Sequence, residues 1–225
     1  MLPKLEIEYP KSLPAIVEER LRNAIINAEL SFGQPLPEDG TGLALGVSRT
    51  PMREALTRLE VQGLVVIVPK KGAFVFKPTL ADVEQLAGFR LMLEVNALDQ
   101  CFGTAPEAAL RDMYNALAVM TEVRKDKGSL AYARGDTAFH ESFFNNCGNI
   151  YLSNAYKTVS GRIAALRNHL SLPHSHEQMT SFNEHKAIVA AFEKGDKAEF
   201  ARLLTDHIMR AKEAYARAIE ENTVL

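Results

Sequence analysis

One stretch decides the fold: residues 48–76 read SRTPMREALTRLEVQGLVVIVPKKGAFVF. The apolar residues of its first half recur at helical spacing: Met52, Ala55, Leu56 and Leu59. This spacing predicts a helix with one buried face. Gly63 ends the helix, and the apolar runs 65–68 and 73–76 flank a Pro-Lys-Lys-Gly turn, which predicts a β-hairpin. A helix followed by such a hairpin is the outline of a winged helix-turn-helix.

The same stretch is locally basic. Residues 48–77 hold six Lys or Arg and two Glu, a net charge of +4. Arg49 and Arg53 are four residues apart, so they project from one exposed face near the start of the helix. Such a helix would enter the major groove of DNA, and the basic hairpin tip would reach the neighbouring backbone or minor groove. An ordinary solvated helix and hairpin is the alternative interpretation.

Three motifs in this region carry a resemblance: VSRTPMREAL (47–56), Leu59-Glu60 and Gly63-Leu64. They resemble the recognition region of GntR-type bacterial transcription regulators, and the resemblance extends over residues 13–76. It implies that the two arginines contact operator DNA and that Gly72 lies at the wing tip. The candidate DNA contacts are Ser48, Arg49, Thr50, Arg53, Arg58, Lys70, Lys71 and Gly72.

A short helix that ends near Gly46 should form the first limb of the motif. The run Gly40-Thr41-Gly42 is poor in helix formers and costs about 2 kcal/mol relative to alanine. Glu38-Asp39 stands where the family that the segment resembles usually carries a basic residue. We therefore expect one DNA contact to be missing and DNA binding to be weaker or differently specific.

The composition is that of a soluble globular protein. Of the 225 residues, 47% are hydrophobic and 24% are charged. No apolar run approaches the ~20 residues of a membrane span, the N-terminus has no signal-peptide pattern, and Cys101 and Cys147 form no Cys-x-x-Cys. We expect a cytoplasmic protein without a membrane partner. The net charge is +1 up to Pro78 and −3 after it, which assigns DNA binding to the N-terminal part.

The remainder of the chain is predicted to be all α-helical. Helical periodicity runs through six segments: 80–102, 106–125, 129–147, 149–170, 176–194 and 196–222. Lys77-Pro78-Thr79 is the predicted linker, because Pro78 breaks the strand and Thr79 can cap a helix. The predicted fold is mainly α. It has a winged helix-turn-helix DNA-binding domain (1–76), a linker (77–79) and an all-α six-helix bundle (80–225) for effector binding and dimerisation.

Four polar residues fall on helix stripes that should face the bundle interior: Asp136, His140, His185 and His207. The first two lie at i and i+4, so their side chains meet on one face. Burying such groups in charged form without partners is costly. A shared divalent metal would remove the cost, since three imidazoles and a carboxylate suit Zn, Ni, Co, Mn or Fe. Separate hydrogen bonds for each side chain are the alternative.

Six motifs of this part carry a second resemblance: RLMLE (90–94), DTAFH (136–140), NIYL (149–152), EHKAI (184–188), GD (195–196) and His207. They resemble the ligand-binding FCD domain of the FadR-like branch of GntR regulators, in its shorter, six-helix, VanR-like version. The resemblance implies that the aspartate and the three histidines named above hold a metal.

A metal with one carboxylate and three neutral imidazoles has a net charge near +1 and keeps positions open for an anion. A small organic acid would fill them with its carboxylate. Arg90 would hold a second carboxylate or hydroxyl, unless it forms an i,i+4 ion pair with Glu94. Asn154 and Arg162, in a later helix, are further effector-binding candidates. Three other histidines are expected in a surface loop: His169, His174 and His176.

Together these features predict a metabolite-responsive transcriptional regulator. A homodimer would place two recognition helices on a pseudo-palindromic double-stranded operator, and a small carboxylate would modulate binding, with repression as the default outcome. One alternative is a metal-sensing regulator in which the ion is the signal. A metal-dependent enzyme is the other, but no general base stands out beside the four polar residues.

Overall fold

The computed structural model of the chain describes residues 11–123, 130–171 and 175–221. His174 and parts of the predicted helical segments 106–125, 129–147 and 196–222 lie outside these ranges. The described elements are α1 (Leu13–Ile26), α2 (Glu38–Leu45), α3 (Arg49–Val61), β1 (Val65–Val68), β2 (Gly72–Val75), α4 (Leu80–Thr104), α5 (Pro106–Val123), α6 (Leu130–Asn146), α7 (Ile150–Leu166), a π-helical turn (Arg167–Ser171), α8 (Ser175–Glu193) and α9 (Lys197–Glu220).

The N-terminal part is a winged helix-turn-helix, which confirms the predicted fold class. Helix α3 packs on α1 and α2 and buries the predicted apolar face. Strands β1 and β2 pair antiparallel with Val65 opposite Val75. The returning strand begins at Gly72, one residue earlier than the apolar pattern indicated. The reason is that the left-handed backbone of Lys70 (φ 64°) completes the turn before Gly72.

Helix α2 contains two glycines, and the tight turn that follows the helix requires a small residue at Gly42. Gly42 is buried, and its carbonyl oxygen accepts a hydrogen bond from the Val47 amide at 2.9 Å. A side-chain carbon at Gly42 would lie 3.0 Å from the Val47 carbonyl oxygen. Glycine at this position therefore lowers the helix propensity of α2 but allows the close turn that connects α2 to α3.

The C-terminal part is an all-α bundle of α4 to α9, again as predicted. Thr79 caps α4 in a capping box with Asp82. Helix α4 packs against α6, α7 and α9, and α8 packs against α5 and α9, so α6, α8 and α9 surround one interior region. No helix in the described ranges is long and apolar enough to cross a membrane. The exact domain division at residues 77–79 stays a prediction.

The two parts of the chain pack directly on each other. His169 stacks on Phe32 with ring centroids 4.0 Å apart, and the Arg162 guanidinium lies 5.1 Å from the centre of the Phe76 ring. The expectation of a surface loop is therefore wrong for His169, which is buried because α7 continues into the π-helical turn beside α1. His176 is exposed.

Candidate metal centre and DNA-binding surface

The predicted metal-binding side chains come together in the bundle interior. Asp136 and His140 project from α6, His185 from α8 and His207 from α9. All four are buried, with at most 3% of each residue exposed. Three different helices therefore deliver four ligand-type side chains to one water-poor site.

The three histidines point their Nε2 atoms at one another. The His207 Nε2 atom lies 3.3 Å from the Nε2 atoms of both His140 and His185. The Asp136 carboxylate oxygens are 3.7 Å from the first of these partner nitrogens and 3.9 Å from the second. Adjacent ligands of one ion with metal–nitrogen bonds near 2.1 Å are separated by about 3.0–3.4 Å. The spacing of the histidine nitrogens fits a single shared ion, whereas the Asp136 oxygens lie beyond this range and one of them is paired with Arg167.

Two carboxylates outside this group fix the orientation of the rings. His140 Nδ1–H donates to Glu94 Oε2 at 2.7 Å, and His207 Nδ1–H donates to Glu184 Oε2 at 2.7 Å. These bonds leave both Nε2 lone pairs directed at the centre, which is the tautomer that a metal ligand needs. Among the described residues, Nδ1 of His185 has no hydrogen-bond partner.

Burial and charge give the ligands the protonation states that metal binding requires. Burial lowers the pKa of His140 and of His185 well below the usual value, so both rings are neutral at pH 7. Burial alone would raise the pKa of Asp136, but the Arg167 guanidinium and the nearby imidazoles bring it below the ordinary range. Asp136, His140 and His185 are therefore in the protonation states that bind a metal.

Two buried arginines line a cavity beside the centre, together with Asp136 and His207. Arg90 Nε donates to Glu94 Oε1 at 2.6 Å, so the predicted i,i+4 ion pair forms, and Arg90 Nη2 donates to His140 Nε2 at 2.9 Å. Arg167 Nε lies 2.7 Å from Asp136 Oδ2. Two guanidinium groups thus line the cavity, each of them already paired with a carboxylate.

The structure does not bring the other two effector candidates to this cavity. Asn154 is exposed on α7, and Arg162 Nη2 donates to Asp82 Oδ1 at 3.0 Å beside the N-terminal part. Sequence reasoning missed Arg167 and Glu184, and it considered Glu94 only as a partner of Arg90. The charged residues at the ends of the EHKAI and RLMLE motifs were the available signal for both glutamates.

The candidate DNA contacts lie on α3 and on the hairpin turn. Ser48, Arg49, Thr50 and Arg53 are exposed in the first turns of α3, and the exposed Lys70 and Lys71 form the hairpin turn next to Gly72. Arg58 lines the same surface depression of α3 as Arg49 and Arg53, and its Nη1 atom is 3.5 Å from Glu18 Oε2 of α1. Ser48 takes the N-cap position, but its side chain makes no capping hydrogen bond.

Comparison with known proteins gives matches to both parts. Residues 15–75 match the bacterial regulatory proteins of the gntR family, and residues 85–210 match the FCD domain. A Streptomyces ambofaciens protein, described as an uncharacterized HTH-type transcriptional regulator, is 30% identical over 183 residues, covering 79% of this chain and 74% of that protein. The HTH-type transcriptional repressor RspR of Escherichia coli K12 is 23% identical over 203 residues, covering 90% and 89%. A solved GntR regulator from Rhodococcus sp. RHA1 has a TM-score of 0.79 at 22% identity, covering 90% of this chain and 96% of its own.

The carboxylate that orients His207 gives a direct test of the metal centre. Replacing Glu184 by alanine removes the acceptor of His207 Nδ1–H, so we expect the affinity for Zn²⁺ to fall about 10- to 100-fold. Competition with a coloured chelator measures it. Glu177→Ala is the matched control, because Glu177 pairs with the same Arg210 but makes no contact with His207. Equal affinities of the two variants would contradict the assignment.

Proposed function

The chain belongs to the gntR family of bacterial regulatory proteins and carries an FCD domain, and from this premise we propose that a divalent metal and a small organic acid in its helical part control its binding to operator DNA. The family membership makes the chain a DNA-binding transcriptional regulator and not an enzyme. The metal, the acid and the control of DNA binding are what we propose.

One observation carries the metal proposal. His140 and His207 each donate Nδ1–H to a carboxylate, so their Nε2 atoms face each other as two acceptors 3.3 Å apart. Arg90 Nη2 donates to the first of these nitrogens, and the Nε2–H tautomer of His185 would donate to the second from 3.3 Å. A metal ion would replace both donors and take all three nitrogen lone pairs. With Asp136 and His185 completing the set, a borderline ion such as Zn, Ni, Co, Mn or Fe fits these donors.

The acid proposal follows from the charges around the cavity. A bound ion would attract a carboxylate, and Arg90 and Arg167 line the same cavity. Arg90 Nη2 contacts the His140 nitrogen that the ion would take, so metal binding would release this donor for an anion. Guanidinium groups suit bidentate pairing with a carboxylate. We retain Arg90 as an effector-binding residue and add Arg167, while Asn154 and Arg162 stand outside the cavity.

A route from the cavity to the DNA-binding part runs through the π-helical turn. Arg167 contacts Asp136 and donates to Thr137 Oγ1 at 2.7 Å. The next two residues contact the end of α1: Asn168 Nδ2 donates to the Ile26 carbonyl at 2.7 Å, and His169 Nε2–H donates to the Ile25 carbonyl at 2.8 Å. An acid that displaces Arg167 would therefore move contacts to α1, which packs on α3. The response requires that the acid binds two arrangements with different affinities.

A homodimer in the cytoplasm would place two α3 helices in successive major grooves of a pseudo-palindromic operator. Repression is the outcome that we propose, because relatives such as RspR are named repressors. The acid would then release the operator.

A thermal-shift screen of mono- and dicarboxylates and sugar acids tests the effector site. An acid at a hundred times its dissociation constant should stabilise the metal-loaded protein by about 2.7 kcal/mol. We expect this shift in wild type and in the control His176→Ala, whose histidine is exposed outside the ligand set. His207→Ala and metal-stripped wild type should show none.

Other outcomes of the screen separate the alternatives. If no acid shifts the melting temperature while metal alone shifts it strongly in wild type, the ion is the signal and the acid proposal fails. If an acid shifts wild type and His207→Ala equally, the acid binds away from the metal centre.

The π-helical turn gives a second prediction. Asn168→Ala removes the bond to the Ile26 carbonyl, so the effect of the acid on operator affinity should fall about threefold or more, a size typical of mutations that alter the coupling between sites. The affinity for the acid itself should stay the same. Fluorescence anisotropy with labelled operator measures the first quantity, and calorimetry measures the second.

Asn96→Ala is the matched control for this variant. Asn96 Nδ2 also donates to a backbone carbonyl, that of Met92 at 2.7 Å, but within one helix. If Asn168→Ala and Asn96→Ala respond to the acid alike, the route through the π-helical turn is wrong.

A further inference from the structure

Each of the two exposed arginines at the start of α3 is held by a carboxylate of α2. Arg49 donates through Nε and Nη2 to the two oxygens of Asp39, the second contact being 2.5 Å. Arg53 donates through the same two nitrogens to the two oxygens of Glu38, at 3.1 Å and 2.9 Å. Both contacts are bidentate, and both join the first helix of the motif to its recognition helix.

These ion pairs have little to do with stability. The side chains of both arginines are 70% exposed, and exposed ion pairs contribute little to folding because water and salt screen them. Their main consequence concerns what the arginines can contact. The Nε–Nη2 edge of each guanidinium is occupied, and no residue in the described ranges forms a hydrogen bond with Nη1 on the end-on edge.

The carboxylates also change the charge that DNA would meet. The stretch 48–77 has a net charge of +4, and the two negative charges of Glu38 and Asp39 beside it halve that value. A phosphate approaching α3 would be repelled by these carboxylates, whereas a guanine edge offers two neutral acceptors to an end-on guanidinium. The pairs therefore disfavour phosphate contacts more than base contacts.

The hairpin turn provides the contrast. Lys70 and Lys71 are exposed and form no ion pair with any of the residues that the structure describes. A lysine ammonium is a mobile point charge that suits phosphate. Contacts to the DNA backbone and contacts to the bases would thus come from two different elements, the hairpin turn and α3.

We propose that Asp39 and Glu38 are specificity-determining positioning residues, which hold Arg49 and Arg53 end-on for base edges and weaken binding to DNA of arbitrary sequence. The proposal rests on the assignment of these two arginines as DNA contacts. It accounts for acidic residues on a surface that must approach a polyanion. The two carboxylates would lower the affinity for DNA in general and increase the discrimination between DNA sequences.

The test begins with an operator selected by the wild-type protein from random duplexes. Dissociation constants are then measured for this operator and for a shuffled duplex at several salt concentrations, with wild type, Asp39→Asn and Glu38→Gln. We expect each variant to bind the shuffled duplex more tightly, and the ratio of the two constants to fall about fivefold to tenfold. The salt dependence should steepen by up to about one counterion per variant.

A matched control and a second mutation make the outcomes decisive. Glu199→Gln removes a carboxylate from an equally bidentate and exposed pair with Arg202, at 2.8 Å and 2.7 Å, in α9, and it should change neither constant. In an Arg49→Ala background, Asp39→Asn should no longer alter the ratio, because Asp39 acts through Arg49.

Three results would overturn the proposal. If Asp39→Asn tightens both duplexes by the same factor, the carboxylate acts only through its charge. If it changes neither constant, the ion pair has no role at the DNA. If Arg49→Ala leaves both constants unchanged, the underlying assignment of Arg49 as a DNA contact is itself wrong, which separates that failure from the first two.

Discussion

The helical part of the molecule depends on two histidine nitrogens that meet as acceptors in a buried site. Glu94 and Glu184 accept the Nδ1 protons of His140 and His207, so the rings cannot turn their donors toward each other. Arg90 Nη2 donates to the first of the two nitrogens, and Nε2 of His185 lies 3.3 Å from the second. Because α6, α8 and α9 each carry a ligand-type side chain, whatever fills the centre also ties these three helices together.

The π-helical turn links this centre to the DNA-binding part. Three consecutive residues contact different partners: Arg167 contacts Asp136, Asn168 contacts the Ile26 carbonyl, and His169 stacks on Phe32. A short segment with contacts to both parts can transmit a displacement from one to the other. The arrangement suits a regulator whose ligand binds far from its recognition helix.

Local patterns were sufficient to predict most of the fold from the sequence. The stripe of α3, the hairpin and the six C-terminal helices follow from periodicity and from Gly and Pro breaks, and the inward positions of Asp136 and the three histidines follow from the same periodicity. The features that could not be predicted depend on contacts between residues that are far apart in the sequence. The inward turn of His169, the approach of Arg167 to Asp136 and the pairing of Asp39 with Arg49 require the packed structure, because no spacing in the chain encodes them.

The most direct measurement is operator affinity with and without an acid that the thermal-shift screen selects, in metal-loaded and in metal-stripped protein. If the metal centre is the platform for the acid, the acid should change the operator dissociation constant about fivefold or more in the loaded protein and leave it unchanged in the stripped protein. An equal response of both forms, or no response in either, would contradict the proposal that metal and acid together control DNA binding.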